Sequence, residues 1–286
     1  MEENIAAKKV GIIGIIGNFI LLGLKFLGGF YFKSQALIAD AINSLGDVFS
    51  SIVTYVGGKI SSVPEDEDHE FGHGKAEFVA SFLIGLFMIV VSIDMLYSSI
   101  HSIILNEAFK VSKYLLFIPI ITIVVKVILY MYVKKVGNKM NSLLIKANAK
   151  DHRNDIFISI GVIIGIVFGY YGIYIVDGIV GAIISCIIVV TGVKIVYEAY
   201  DVLIDKCVDV EVVKEVRAFI EGIEKVNHID SIKSKPTGKL HMLIIKISVD
   251  SSMTVRESHK IAGKIRHELT KRPEIYDVLV HINPDE

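Results

Sequence analysis

The chain has 286 residues, of which 52% are hydrophobic and 21% are charged, and its mean hydropathy is +0.57. The 30 Lys and Arg residues nearly balance the 31 Asp and Glu residues, for a net charge of −1, which argues against a nucleic-acid-binding protein. Such a high apolar content excludes an intrinsically disordered chain, and two cysteines are too few for a disulfide-stabilised scaffold. The composition favours a membrane protein.

Charge is distributed unevenly along the chain. Residues 201–286 carry 29 charged side chains among 86 residues, or 34%, whereas charged residues make up only 16% of the first 200. The sequence therefore predicts a membrane domain over residues 1–203 and a soluble domain over residues 204–286.

The membrane domain contains six apolar stretches, each long enough for a helix that crosses a bilayer, which takes about 20 residues. They cover residues 10–32, 34–58, 78–104, 114–133, 156–176 and 178–198. We therefore predict a polytopic α-helical membrane protein with six transmembrane helices.

Six basic residues lie around the connection between the fourth and fifth stretches. They are Lys134, Lys135, Lys139, Lys146, Lys150 and Arg153. Because loops rich in Lys and Arg stay in the cytoplasm, we expect this connection and both chain termini to be cytoplasmic, in a cell (plasma or inner) membrane.

The soluble domain shows alternating helix and strand patterns. Helical spacing of apolar residues covers 209–224 and 254–271, and strand-like segments cover 228–234, 239–249 and 275–282. The order αββαβ predicts a small cytoplasmic α+β domain of ferredoxin-like or metallochaperone-like type, with its helices on one face of the sheet.

Ionisable side chains are costly inside a membrane, so the aspartates of the apolar stretches are candidate functional residues. Asn43 and Asp47 share one face of the second helix, and Asp151 and Asp155 share one face of the fifth. If these faces meet, their oxygens form a site for a hard divalent cation, without thiolate or imidazole. Asp40 lies on the Asn43 face, and the sequence leaves open whether it acts in the site or only pairs with a lysine such as Lys25 or Lys126.

Three motifs resemble those of the cation diffusion facilitator family. They are ADAINSLGDVFSS in the second helix, FGHGKAE in the following loop, and ANAKDHRNDIFISIGVIIG in the fifth helix. The likeness also covers the six spans and the αββαβ tail, and thus nearly the whole chain.

This resemblance implies a homodimer that exports divalent metal from the cytoplasm in exchange for protons, by alternating access. The transport ligands carried over are Asn43, Asp47, Asp151 and Asp155. Zinc-transporting members typically have His where Asp151 stands, so the motif is most similar to the manganese-transporting branch. Oxygen in place of nitrogen also favours Mn²⁺ over Zn²⁺, with Fe²⁺, Co²⁺ and Cd²⁺ as further candidate cargoes.

The resemblance also implies roles for the loop after the second helix. Asp66, His69 and His73 match residues that bind metal in some family members, although a solvated acidic loop is the alternative. Lys75 and Asp205 match a family ion pair, which we expect to be a structural interlock at the cytoplasmic hinge of the dimer and not a metal ligand.

The tail departs from the zinc-binding pattern of the family. Lys246 and Asn283 replace a histidine and an aspartate of that pattern, and a lysine opposes a nearby dication. We therefore expect at most a weak metal site, at His228 and His281, in a domain that serves mainly in dimerisation.

The resulting prediction is a Mn²⁺/H⁺ antiporter, a secondary transporter and not an enzyme, that contacts the lipid bilayer and metal ions but no nucleic acid. One alternative keeps this fold and exports Zn²⁺ or Fe²⁺. Another is a membrane-anchored metal sensor or scaffold that does not transport.

Overall fold

A computed structural model of the chain describes residues 2–61, 63, 65–139 and 143–285, and the side chains of 15–49, 52, 63, 65–136, 138, 149 and 151–285. The side chains of Lys139, Lys146 and Lys150 thus lie outside the described residues. Two compact units make up the chain. The first comprises Met1–Ile52 and Leu83–Val196, and the second comprises Val53–Phe82 and Tyr197–Glu286.

Six long helices come first along the chain. They are α1 (Glu2–Phe32), α2 (Gln35–Ser61), α3 (Ala76–Leu105), α4 (Lys113–Lys139), α5 (Leu143–Tyr170) and α6 (Ile175–Leu203). Five of them, all but α2, are long and apolar enough to cross a membrane. Helix α2 has 27 residues, but many side chains of its second half lie outside the described residues, so its membrane crossing stays a prediction.

The boundary between the fifth and sixth spans differs from the predicted one. The sequence predicts a span over 156–176, but α5 ends at Tyr170 and α6 begins at Ile175, ahead of the expected start at residue 178. Gly172 lies in the intervening turn with a φ of +79°, a conformation that glycine adopts without strain. Because apolar residues continue through this turn, the hydropathy pattern alone does not reveal it.

Small residues bring helices close together in the first unit. Ala36 and Ala39 of α2 are fully buried, and a Cβ atom added at Gly181 of α6 would lie 3.0 Å from the backbone carbon of Gln35. Without a hydrophobic driving force in lipid, such close backbone packing is what holds helices together. The beginning of α2 is thereby fixed against α6.

The second unit contains the predicted αββαβ order. Its elements are α7 (Val210–Glu221), β1 (His228–Pro236), β2 (His241–Asp250), α8 (Val255–Leu269) and β3 (Ile275–Asp285). The sheet has the order β1-β2-β3, in which β1 and β2 are antiparallel and β2 and β3 are parallel. Helix α8 is the crossover that a parallel pair requires.

Alternation along β2 creates the core of this domain. Leu243, Ile245 and Ile247 lie two residues apart, share one face of the sheet and are fully buried. They belong to one cluster with buried residues of α7 and α8, including Val216 and Ile265. This packing confirms the predicted α+β domain.

Candidate metal-transport site

The predicted ligand pairs of α2 and α5 meet inside the first unit. The side-chain nitrogen of Asn43 donates a hydrogen bond to Oδ1 of Asp155 over 3.1 Å. Asp155 is 5% exposed, whereas the side chain of Asp47, one turn beyond Asn43, is 34% exposed. The two helices therefore face each other through these residues, and Asp47 remains accessible from outside the protein.

Lys126 of α4 lies between the carboxylates of this site. Its Nζ is 2.5 Å from Oδ2 of Asp155 and 3.7 Å from Oδ2 of Asp47, and it donates a 2.7 Å hydrogen bond to Oδ1 of Asn18 in α1. Only 1% of Lys126 is exposed. The site therefore contains a buried positive charge, and four helices contribute to it instead of the expected two.

Asp151 is less closely integrated. It is exposed, one turn before the buried Asp155 on α5. Among the residues whose side chains are described, Asp47, Asp151 and Asp155 do not bring three ligand atoms within 4.8 Å of one another. Asn43 contacts Asp155 directly, and Lys126 connects Asp155 to Asp47. Asp151 lies at the edge of this group.

A second buried ion pair lies beside the site. Nζ of Lys25 is 2.8 Å from Oδ1 of Asp40 and donates a 2.9 Å hydrogen bond to the hydroxyl of Ser44, while Ser159 donates to Oδ2 of Asp40 over 3.4 Å. Both charged side chains are fully buried. This geometry agrees with the alternative in which Asp40 pairs with a lysine and holds helices together.

Asp177 is a buried carboxylate that the sequence analysis missed. It lies near the start of α6 and is 2% exposed. Its oxygens accept hydrogen bonds from the hydroxyl of Ser34 (2.7 Å) and from the backbone amides of Gln35 (2.6 Å) and Ala36 (3.4 Å). Asp177 thereby caps the first turn of α2, whose amides have no partner within the helix and whose dipole favours an anion.

The loop after α2 brings its three predicted ligands together. Asp66, His69 and His73 each place one ligand atom within 4.8 Å of the others, and we call them the loop cluster. Nδ1 of His69 is 3.1 Å and Nε2 of His73 is 3.4 Å from the carboxylate of Asp66. Partial desolvation opposes ionisation of Asp66, but hydrogen bonds from the backbone and ring of His69 outweigh it and lower its pKa. The loop cluster therefore presents an ionised carboxylate and two imidazoles to solvent.

Lys75 and Asp205 form the ion pair that the resemblance implies. Nζ of Lys75 donates to Oδ1 of Asp205 over 2.7 Å, and this hydrogen bond lowers the pKa of Asp205. Both groups are part-exposed, and Lys235 lies 3.9 Å from the same carboxylate. The pair ties the loop after α2 to the end of α6 within the second unit.

The two tail histidines occupy different rows of the sheet. His281 pairs in register with Lys246, whereas His228 pairs with Ser248 two residues farther along β2. Nε2 of His228 lies 2.9 Å from Asp230, an unforeseen partner. Hydrogen bonds from Asn283 and Ser248 lower the pKa of Asp230. Within the part of the tail that is described, His228 and His281 do not join a three-ligand group.

Three proteins resemble the chain over most of their length. The manganese efflux system protein MneP of Bacillus subtilis (strain 168) is 35% identical over 292 residues, which cover 99% of this chain and 98% of that protein. The manganese efflux system protein MneS of the same organism is 30% identical and covers 99% and 97%. The magnetosome protein MamB of Magnetospira sp. (strain QH-2) is also 30% identical and covers 88% and 86%.

Among solved structures, the metal-bound C-terminal domain of the CzcD transporter from Thermotoga maritima is 28% identical. The match covers 26% of this chain and 87% of the solved domain, with a TM-score of 0.25.

Two family models match consecutive parts of the chain. The model of the cation efflux transmembrane domain matches residues 11–204, and that of the cation efflux protein cytoplasmic domain matches residues 208–285. Together they span nearly the whole sequence, in the order that the motifs and the charge distribution indicate. The chain belongs to the cation efflux family of multi-pass membrane transporters, the cation diffusion facilitators.

Proposed function

We propose that this chain exports Mn²⁺ from the cytoplasm in exchange for protons. The observation that carries this proposal is the contact between α2 and α5, where Asn43 and Asp155 meet beside Asp47. These residues offer oxygen ligands, which suit a hard ion such as Mn²⁺ better than Zn²⁺. Two relatives that match nearly the whole chain are both named manganese efflux system proteins, which supports the same cargo.

The ligand geometry suits a cation that enters from the side of Asp47. Asn43 uses its side-chain nitrogen to bind Asp155, so its carbonyl oxygen is directed to other partners and can face the ion. Asp47 is part-exposed and can meet the ion first, while Asp155 binds it in the interior. Asp151 contributes a further carboxylate from one turn away.

Proton exchange falls on the carboxylates of this site. Asn43 does not titrate, but Asp47, Asp151 and Asp155 can each carry a proton when the metal is absent. Metal ligands must be deprotonated, so binding of the ion releases protons. Alternating access to the two sides of the membrane then couples metal export to proton entry.

The loop cluster has different chemistry, and we propose it as a second metal site that does not carry cargo. Two imidazoles and one carboxylate suit Zn²⁺. Occupancy of this site on the cytoplasmic side would report intracellular metal to the transporter. The alternative, a metal sensor without transport in which the cytoplasmic tail is the active part, would not need Asp155.

The cytoplasmic domain supports assembly in this proposal. We propose a homodimer in the cell membrane with both termini in the cytoplasm, in which the Lys75–Asp205 pair joins the loop to the end of α6. His228 and His281 would at most bind metal weakly, because Lys246 pairs in register with His281.

Transport by the reconstituted full-length chain tests the proposal. Liposomes that contain a Mn²⁺ dye and a pH dye should show Mn²⁺ uptake with opposite proton movement, and Asp155→Asn should abolish both. Asp94→Asn is the matched control, because Asp94 is an exposed aspartate of α3 that is not among the proposed ligands. Asp151→His should shift the preference toward Zn²⁺. Rapid Zn²⁺ transport with little Mn²⁺ transport by the unaltered protein would contradict the proposed cargo.

A further inference from the structure

Lys126 lies against two of the carboxylates that we propose as ligands of the cation. Its ammonium nitrogen lies 2.5 Å from one carboxylate oxygen of Asp155 and 3.7 Å from one of Asp47. A divalent ion bound to Oδ2 of Asp155 would lie about 2.0–2.2 Å from that oxygen, whereas Nζ of Lys126 already lies 2.5 Å from it. Ion and ammonium group therefore cannot be bound there together.

A retreat position for the ammonium group is already present. Nζ of Lys126 donates a 2.7 Å hydrogen bond to the side-chain oxygen of Asn18, which is buried in α1 and is not among the carboxylates. A lysine has four rotatable methylene bonds and a compact charge, so its ammonium can move by a few ångströms while it keeps one acceptor. Asn18 can hold the displaced group while the ion occupies Asp47 and Asp155.

The other buried lysine does not have this freedom. Lys25 is fully enclosed with Asp40 and Ser44, and Asp40 accepts a further hydrogen bond from Ser159. Among the described residues, Lys25 and Asp40 form an ion pair with each other and with no transport ligand. The two lysines therefore differ in their partners. Lys25 is paired with Asp40, whereas Lys126 contacts the proposed ligands themselves.

We propose that Lys126 is a tethered competitor of the transported ion. Its ammonium group holds the carboxylates of Asp155 and Asp47 between transport cycles, gives way to the divalent cation, and returns to displace that cation at release. This inference rests on the proposed function, because it assumes that Asp47 and Asp155 bind the cargo. It assigns the release step to a residue outside the motifs of α2 and α5.

Neutral substitution of Lys126 should make binding tighter and turnover slower. Without the competing charge, Lys126→Met should bind Mn²⁺ more tightly by roughly 100- to 1,000-fold, since the cost of leaving a buried carboxylate without its counter-ion corresponds to a factor of that order. At saturating Mn²⁺ its transport rate should fall, since release becomes slow. Lys126→Gln should behave alike because it keeps a hydrogen-bond donor but not the charge, whereas Lys126→Arg should stay close to the unaltered protein.

Mn²⁺ binding to the full-length chain in lipid nanodiscs measures this effect, with the electron paramagnetic resonance signal of free Mn²⁺ as the readout. All variants carry His69→Ala and His73→Ala, so that the loop cluster does not contribute. Lys194→Met is the matched control, as it removes an exposed lysine from α6 and should leave the affinity unchanged.

Each outcome decides between the two proposals. If Asp155→Asn does not weaken Mn²⁺ binding, the membrane site itself is misassigned and the proposed function fails. If it does, but Lys126→Met binds Mn²⁺ no more tightly than the unaltered protein, only the competitor role is overturned. If the neutral variants are stable only when Mn²⁺ is present, the rate at which they release Mn²⁺ into excess chelator is measured instead. Slower release than from the unaltered protein supports the proposal, and equal or faster release overturns it.

Discussion

Replacement of Asp177 by alanine should destabilise the membrane domain by about 3 kcal/mol. Its buried carboxylate accepts short hydrogen bonds from the hydroxyl of Ser34 and the amide of Gln35, while the 3.4 Å bond from Ala36 is too long to add much. A buried donor left without a partner costs about 1–3 kcal/mol. Ser34 can rotate toward another acceptor and should cost about 1 kcal/mol, whereas the fixed amide of Gln35 should cost about 2 kcal/mol.

Unfolding of the full-length chain by titration with SDS in mixed micelles, followed by circular dichroism, measures this free energy. Asp177→Asn keeps one acceptor oxygen and should lose about half as much, and Ser34→Ala should lose about 1 kcal/mol. Because Asn43 lies about 12 Å along α2 from Gln35, Mn²⁺ affinity should change far less than stability. A loss below about 0.5 kcal/mol in Asp177→Ala, the scatter of ordinary surface substitutions, would refute the capping role.

Four further predictions concern the second unit. His73→Ala should remove one Zn²⁺ per chain in equilibrium dialysis while His267→Ala, on an exposed histidine, should remove none. Lys75→Glu should lower the melting temperature slightly, since a part-exposed ion pair contributes about 0.5 kcal/mol, and adding Asp205→Lys should restore it. The pKa of Asp205 is lowered, so its stabilising contact with Lys75 should persist at neutral pH and be lost only as acidification passes below the usual carboxyl range; loss near pH 7 would contradict this. Ile245→Ala, at a fully buried position of β2, should cost about 3 kcal/mol in thermal unfolding, and a loss under about 1 kcal/mol would contradict the packing.

The sequence predicted well the features that depend on local patterns. The richness of residues 239–249 in Leu, Ile and Val predicts a strand, and the structure has it in β2, where Leu243, Ile245 and Ile247 are fully buried. Helix–turn boundaries within apolar sequence were predicted less well, since Gly172 and its neighbours differ little in hydropathy from the spans that they separate. A turn at a membrane surface needs only one permissive residue, and a single glycine is a weak signal.

Candidate ligands were also predicted by local spacing, because Asn43 with Asp47 and Asp151 with Asp155 each share a helix face. Which residue of a different helix meets them depends on tertiary packing, and no spacing rule connects Asp155 to a residue of α4. The sequence could therefore present Lys126 only as a generic partner for an aspartate. Its signal was the cost of a lysine in the middle of an apolar span.

That cost has a physical consequence for the whole site. Two buried lysines, Lys25 and Lys126, compensate two buried aspartates, Asp40 and Asp155, before any metal arrives. A buried ionised carboxylate without a counter-charge would be strongly unfavourable, so a transporter that must exist both with and without its cargo needs either a cation beside the carboxylates or protons on them in both states. In the role that we propose, a mobile lysine shares this task with the protons on the carboxylates, and the helix that carries Lys126 would then belong to the ion site as much as α2 and α5 do.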